Sequence, residues 1–166
     1  MILAVDPGST QSAYVLYDPK TKTVREHAIM SNMGMRSLLE WWNGILMLGA
    51  PVPHEVVVPP DGNMTLVIED MQSFGMPVGR EVFETVRWTG RFDSAWAGKF
   101  VYIPRSEVKL AICKSAKGND ATIRQALIDM FGGKQETKKG GKLYKVKGDE
   151  WSALALAVTY SLRSSK

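Results

Sequence analysis

Four acidic residues of the sequence could act together in catalysis: Asp6, Glu69, Asp149 and Glu150. Asp6 ends the apolar run 2–5, and Pro7-Gly8 follows at once, so a strand is expected to stop with a carboxylate at its tip. Glu69 ends a second, largely apolar run in the same way. Because a buried carboxylate loses several kcal/mol of hydration, it is normally paired, hydrogen-bonded or bound to a cation. One such acid could simply cap a turn, whereas the repeated arrangement indicates a site.

The chemistry that these acids could perform follows from their ligand type. If the two strands are parallel neighbours, Asp6 and Glu69 leave the sheet at the same edge, where the sites of α/β proteins gather. Asp149 and Glu150 begin the last predicted helix, where acids also serve as ordinary caps or compensate the helix dipole. Carboxylate oxygens without histidine or thiol favour Mg²⁺ or Mn²⁺ over Zn²⁺. Two such ions roughly 3.5–4 Å apart can drive phosphodiester hydrolysis. The acids therefore predict a two-metal hydrolytic site.

The elements that must position these acids are those of an α/β protein. Strands are predicted at 2–6, 12–17, 23–29, 64–70 and 100–103, and helices at 35–48, 80–97, 104–113, 121–131 and 149–160. Residues 56–58 could add a short extended piece. Three strands in a meander, followed by strands alternating with helices, predict a mixed sheet with helices on both faces. Gly90 lies inside a predicted helix at a cost of about 1 kcal/mol relative to Ala, which indicates the close approach of another helix.

Composition and charge limit the class of protein. At 166 residues the chain is expected to form one domain, with no membrane span and no signal peptide. A single cysteine, Cys113, excludes an internal disulfide and favours the reducing cytoplasm. The net charge of +4 is concentrated in residues 132–147, which hold six lysines and one glutamate. Such a segment indicates either a polyanionic partner or a solvated loop kept soluble by its lysines.

Four short segments, in order along the chain, also carry a family resemblance. They are residues 2–10 (ILAVDPGST), 66–69 (LVIE), 102–109 (YIPRSEVK) and 152–160 (SALALAVTY). The four resemble, respectively, the opening strand, the second motif, the tyrosine-x-proline-arginine segment and the last catalytic helix of RuvC-type Holliday junction resolvases, in the RNase H-like superfamily. The small size and the insert at 132–147 are most similar to divergent phage members. The resemblance implies a single RNase H-like nuclease domain over residues 1–166.

The resemblance implies roles for the acidic residues. That family has a metal-binding acid at each matching position, which makes Asp6, Glu69 and Asp149 catalytic residues and ligands of two Mg²⁺ ions, with Mn²⁺ as the alternative metal. Its final helix carries two aspartates three residues apart, and the second of these positions is Ser152 here. Glu150 is the candidate replacement, both as a catalytic residue and as a ligand. The last ligand is thus left open.

The resemblance further implies a homodimer that cleaves branched DNA, above all four-way junctions, with helix 80–97 in the dimer contact. Phe74 would stack on bases or wedge between them at the crossover, unless it is an ordinary apolar lid residue. The candidate phosphate contacts are Arg105, Lys109, Lys114, Lys117, Lys138, Lys139 and Lys142. Contacts of this type position DNA without reading its sequence.

Two other functions fit parts of the sequence. Turns similar to residues 6–10 also occur in actin-like ATPases and sugar kinases, where they meet nucleotide phosphate. However, 166 residues are too few for the two domains that enclose such a nucleotide. A non-catalytic junction-binding protein is the second alternative, because Ser152 stands where the family has an aspartate. Metal-dependent cleavage would distinguish the enzyme from the binding protein.

Overall fold

A computed structural model describes residues 1–49, 63–73, 75 and 77–164 of the chain. The elements are β1 (Ile2–Asp6), β2 (Gln11–Asp18), β3 (Thr23–Ser31), α1 (Asn32–Leu48), β4 (Thr65–Asp70), α2 (Arg80–Ser94), β5 (Phe100–Pro104), α3 (Arg105–Cys113), α4 (Asp120–Phe131) and α5 (Glu150–Ser164). A short 3-10 helix, Lys134–Thr137, lies between α4 and α5. The extended piece predicted at 56–58 and the predicted DNA contact Phe74 lie outside the described residues.

The strands form one mixed sheet in the order β3-β2-β1-β4-β5. β1, β2 and β3 pair antiparallel, whereas β4 pairs parallel with both β1 and β5. Side chains of α1 and α2 pack on one face of the sheet, and those of α3, α4 and α5 pack on the other. The predicted mixed sheet with helices on both faces is therefore confirmed. None of the helices in the described ranges combines the length and apolarity needed to cross a membrane.

Helix α5 lies at the centre of the second face and contacts β1, β2 and β4. Its alternating alanines and larger residues are fully buried from Ala153 to Ala157. Small side chains let a helix approach a sheet closely, and a helix that is apolar on most sides must be covered on most sides. The N-terminus of α5 is thereby held over the carboxyl ends of the central strands.

The helix boundaries differ from the predicted ones where a side chain caps the chain. α1 begins at Asn32, three residues early, because the Ser31 hydroxyl accepts a hydrogen bond from the Gly34 N–H at 3.2 Å. α2 ends at Ser94 instead of residue 97, and the Asn43 side chain accepts from the Ala97 N–H at 3.1 Å.

No atom of the described chain lies within 4 Å of a Cβ built on Gly90. The close helix approach expected at Gly90 is therefore not made within the described chain.

The insert at 132–147 is anchored to the core. Leu143 and Val146 are buried among the side chains under α5, and the Leu143 N–H donates to the Glu136 carbonyl at 2.9 Å. All six lysines of the insert are exposed. The interpretation as a purely solvated loop is therefore wrong, because apolar residues between the lysines fix the segment against the protein.

The turn after β1 positions Asp6 and depends on Gly8. A Cβ at Gly8 would collide with the backbone carbonyl of Gln11. Asn32, which is buried, donates to the Gly8 carbonyl at 2.9 Å and accepts from the Ser12 hydroxyl at 2.6 Å. The end of β1 is thus tied to β2 and to the start of α1.

We expect Gly8→Ala to destabilise the fold, because the new methyl group must displace backbone atoms of the turn. The expected loss is about 2–3 kcal/mol, measured as a lowered Tm in thermal unfolding. Gly90→Ala is the matched control, at protein concentrations where the chain is monomeric: its methyl group meets nothing of the described chain outside the backbone of its own helix and gains helix propensity, so its Tm should be unchanged or higher. An unchanged Tm for Gly8→Ala would contradict the tight turn.

Candidate active site

Asp6 and Glu69 lie side by side at the carboxyl ends of two neighbouring parallel strands. Val5 pairs with Ile68 in the register of β1 and β4, so the two acids are the next pair along the strands. Side chains alternate between the faces of a sheet. Ala4 and Val67, two positions before the acids, pack on the face covered by α5. Both acids therefore emerge on the side of α5, as the sequence predicts.

Asp6 and Glu69 lie close enough for their carboxyl groups to affect each other directly. Burial raises the pKa of Asp6 well above its usual range, and the hydrogen bond to Glu69 and the negative charges of Glu69 and Asp149 raise it further. Arg105 acts in the opposite direction. Its guanidinium lies 3.9 Å from Glu69 Oε2 and also forms an ion pair with Asp120. The site thus groups carboxylates around Asp6, with the Arg105 guanidinium as a nearby positive charge.

Asp149 lies immediately before α5, where its carbonyl accepts hydrogen bonds from the N–H groups of Ser152 and Ala153. The preceding Gly148 has a φ of 50°, a conformation that favours glycine. Asp149 is exposed and lines a cleft of about 250 Å³ together with Arg105, Arg124 and Ser152. Its charge is near enough to raise the pKa of Asp6, and its role as a metal ligand stays a prediction.

Glu150 does not join the other acids. It is buried, with its Oε2 atom 2.9 Å from His27 Nδ1 and accepting from the Lys147 N–H at 2.8 Å. Both contacts lead away from Asp6 and toward β3 and the insert. Successive helical residues differ by about 100° in direction, so Asp149 and Glu150 cannot both face the cleft. The predicted role of Glu150 as a replacement ligand stays a prediction, and its observed contacts are structural.

The donor set of the site fits a hard divalent cation. Asp6, Glu69 and Asp149 offer only carboxylate oxygens, which Mg²⁺ and Mn²⁺ prefer. Within the described ranges, no three His, Cys, Asp or Glu residues are grouped closely enough to hold a metal ion. Like charges keep carboxylates apart unless a cation offsets them. The adjacent carboxyl groups of Asp6 and Glu69 mark the position where a cation would bind.

The predicted phosphate contacts are spread over the molecule. Arg105 lines the cleft of Asp149, whereas Lys114 and Lys117 are exposed between α3 and α4, and Lys109 lies within α3. Lys142 lies beside Tyr17 and Leu162, at the end of the sheet opposite to Asp6. Lys138 and Lys139 are exposed in the insert. Of these residues, only Arg105 lies among the acids.

Sequence reasoning missed two residues of this region, Arg124 and His27. The Arg124 guanidinium lies 5.1 Å from the centre of the Trp151 ring and lines the cleft of Asp149. His27, on β3, contacts the Glu150 carboxylate through its Nδ1 atom. Neither residue has a local sequence signal, because each meets its partner only through the fold.

Asp6→Asn is expected to stabilise the metal-free protein, because it removes a buried group whose ionised form is unfavourable beside Glu69 and Asp149. Since the folded-state pKa of Asp6 is raised, the wild type is most stable when Asp6 is protonated and loses that stability as pH rises through the raised pKa. The advantage of the variant should therefore grow with pH. A gain of ~1 kcal/mol would raise Tm by about 2–4 °C.

The same thermal scans with Mg²⁺ test the cation site. Added Mg²⁺ should raise the Tm of the wild type, since a ligand that binds only the native state stabilises it, and should raise that of Asp6→Asn much less. Asp70→Asn, at the next position of β4, is the matched control and should respond as the wild type does. An equal Mg²⁺ response in all three proteins would contradict the site.

No family model matches the chain, and no curated protein sequence is similar enough to count as a relative. Solved structures do match. A structure of Thermus thermophilus RuvC aligns with 99% of this chain and 95% of its own, at 12% identity and a TM-score of 0.62. T. thermophilus RuvC in complex with Holliday junction substrate aligns with 99% of this chain and 94% of its own, at 11% identity and the same TM-score.

A crystal structure of the fowlpox virus Holliday junction resolvase aligns at 18% identity over 98% of both chains, but its TM-score of 0.43 is too low to establish a shared fold. The RuvC matches cover the whole sheet and its helices. At these low identities the matches establish a shared fold. The chain therefore has the RNase H-like fold of RuvC.

Proposed function

We propose that the chain is a metal-dependent endonuclease that cleaves branched DNA, with four-way junctions as its main substrate. The observation that carries the proposal is the adjacent pair Asp6 and Glu69 at the carboxyl ends of two parallel strands, with Asp149 close enough to affect the pKa of Asp6. The fold of RuvC supports the same reaction. In this proposal residues 1–166 form one nuclease domain.

Three carboxylates would hold the cation, or two cations, of the site: Asp6, Glu69 and Asp149. Mg²⁺ is the proposed metal and Mn²⁺ the alternative. When bound, such ions supply an activated water and offset the charge that develops on the phosphate. The chain itself contributes the fixed geometry, because the β1–β4 register holds Asp6 beside Glu69 and the packing of α5 holds Asp149 over them.

Two arginines would position the phosphate that is cut. Arg105 and Arg124 line the cleft that contains Asp149, and guanidinium groups bind phosphate oxygens in bidentate pairs. Arg105 is already paired with Asp120, an exposed carboxylate, so a phosphate could take the place of that partner. The structure with Holliday junction substrate belongs to T. thermophilus RuvC, and the shared fold supports a similar substrate here.

A homodimer is part of the proposal, with α2 in the contact. Gly79, Phe83, Val86 and Gly90 lie at spacings of four, three and four residues and therefore form one stripe of the helix. Phe83 is 55% exposed and Val86 48% exposed. An apolar stripe of this kind is unusual on a free helix and is suited to a second copy. A symmetric dimer would present two active sites to the two equivalent strands of a junction.

A non-catalytic junction-binding protein is the second candidate. Ser152 lines the cleft at the position where the resembling family has an aspartate, and a site with fewer carboxylates binds divalent cations less tightly. Cleavage distinguishes the two functions, because a binding protein would retain a junction without cutting it.

Cleavage of an end-labelled four-way junction, with the matched linear duplex as control substrate, tests the enzyme. The wild type should produce paired nicks in the junction only, with Mg²⁺ and not with EDTA. Asp6→Asn should lose more than about 100-fold in rate, since even residues behind the ligands cost about 10–100-fold, and should still bind the junction. Binding without any cut by the wild type would favour the binding protein.

Asp149→Asn and Glu150→Gln assign the last ligand in the same assay. Asp149→Asn should lose about 100-fold or more, whereas Glu150→Gln should lose about tenfold or less, because its amide oxygen can still accept from Lys147. The reverse order of effects would make Glu150 the ligand and overturn the assignment of Asp149.

Phe83→Asp and Val86→Asp should convert the dimer into a monomer, because each buries a charge in the proposed contact. Sedimentation velocity at several protein concentrations would show the change in mass. Met33→Asp, on α1, is the matched control, since Met33 is 61% exposed and lies outside the α2 stripe. A wild type that stays monomeric at all concentrations would exclude the dimer.

A further inference from the structure

A groove of about 960 Å³ lies between β3, the insert at 132–147 and the N-terminus of α5. Sites for small ligands in proteins typically measure about 300–1,000 Å³. The residues that define the chemistry of this groove are His27, Arg124, Tyr144, Lys145, Lys147 and Trp151. Lys145 and Lys147 belong to the basic insert that the sequence analysis singled out, whereas the other phosphate contacts predicted by residue number lie outside the groove.

The rim of the groove is basic and its floor is apolar. Arg124, Lys145 and Lys147 bring three positive charges, against the single carboxylate of Glu150. That carboxylate is already bound by His27 and by the Lys147 N–H, so it has little capacity left for a ligand cation. The floor contains buried Leu143 and Val146. Such a surface attracts an anion that also carries an apolar part.

Tyr144 presents an aromatic ring at this rim. It is 40% exposed, and the Lys145 Nζ lies 5.4 Å from the ring centre. Lys145 has a φ of 65°, a conformation that costs a residue other than glycine about 1–3 kcal/mol. The chain thus keeps a strained turn that places an aromatic ring and a cation next to each other. This is the combination with which proteins bind single-stranded nucleic acid: bases stack on the ring and phosphates meet the cations.

The groove is continuous with the cleft of the proposed active site. Arg124 and Trp151 line both, and the arginine stacks on the indole. Trp151 is 6% exposed, and its indole N–H has no hydrogen-bond partner among the described residues. A buried donor without a partner is uncommon and requires an explanation, and a ligand oxygen would supply one. A strand that leaves the cleft can therefore enter the groove directly.

We propose that this groove binds an unpaired DNA strand of a few nucleotides next to the branch point. One base stacks on Tyr144, and the flanking phosphates pair with Arg124, Lys145 and Lys147. The inference rests on the proposed function and names its substrate more closely: forks and flaps with an unpaired arm bind more tightly than the same branched DNA fully paired.

Binding to a fork with an unpaired thymidine tail, one base of which is replaced by 2-aminopurine, tests the inference in EDTA. Stacking on Tyr144 should quench the fluorescence of the wild-type complex. Tyr144→Ala should lose the quench and weaken binding about tenfold, as expected for one lost stack. Tyr144→Phe should keep both, since stacking does not need the hydroxyl. Affinity for the fully paired four-way junction should stay the same in all three proteins.

Phe100→Ala is the matched control, because Phe100 is an aromatic residue of similar exposure (42%) that begins β5, at the opposite edge of the sheet from β3 and the groove. It should behave as the wild type on both substrates. A Tyr144→Ala protein that keeps the quench and the affinity would overturn the inference, as would one that weakens tailed and paired substrates equally.

The outcome for the groove can be separated from that for the proposed function. If the wild type cuts junctions with Mg²⁺ but Tyr144→Ala has no effect on tailed forks, only the groove is refuted. If the wild type binds and quenches the tail but cuts no branched DNA, the groove is supported and the nuclease is refuted. The Lys147→Gln variant gives a further check: loss of one phosphate contact to a single strand should reduce the salt slope of binding by about 0.7.

Discussion

The parallel pairing of β1 with β4 is the constraint on which the rest of the structure depends. It places Asp6 and Glu69 next to each other, and a slip of one residue in either strand would turn one acid to the opposite face of the sheet. Apolar packing on both faces opposes such a slip, since it would move Leu3 and Val67 into the opposite clusters, which are packed around other side chains. The two layers of helices thus hold in place a pair of groups that repel each other when ionised.

Helix α5 connects that pair to the remainder of the site. Its alanines bring it close to the central strands, and its first turn is tied to β3 by the contact between Glu150 and His27. The start of the helix is therefore fixed at two points, one in the core and one at the edge strand. Asp149 precedes this turn and takes its position from it, although it forms no side-chain contact of its own with β3.

The sequence predicts best what is local. Asp6 and Glu69 each end an apolar run, so their shared sheet edge follows from strand order alone. The sequence could not predict that Asp149 lines the cleft whereas Glu150 is buried. This difference depends on the angle at which α5 meets the sheet and on His27, 123 residues away from Glu150. The charge of the insert also could not show where its individual lysines lie. Lys142 lies at one end of the sheet and Lys147 at the other. The burial of Leu143 and Val146 fixes the positions of these lysines, and a count of lysines does not reveal that burial.

The anchoring of the insert has a consequence for how such a protein can change. Leu143 and Val146 attach the segment to the core, while its six lysines are exposed and the segment takes no part in the pairing of β1 and β4. The residues that would choose a substrate and the residues that would cut it are thus on separate stretches of chain. New specificities could arise by exchange of the segment between Gly132 and Gly148, with the two buried anchors retained, and the hydrolytic centre would be inherited unaltered.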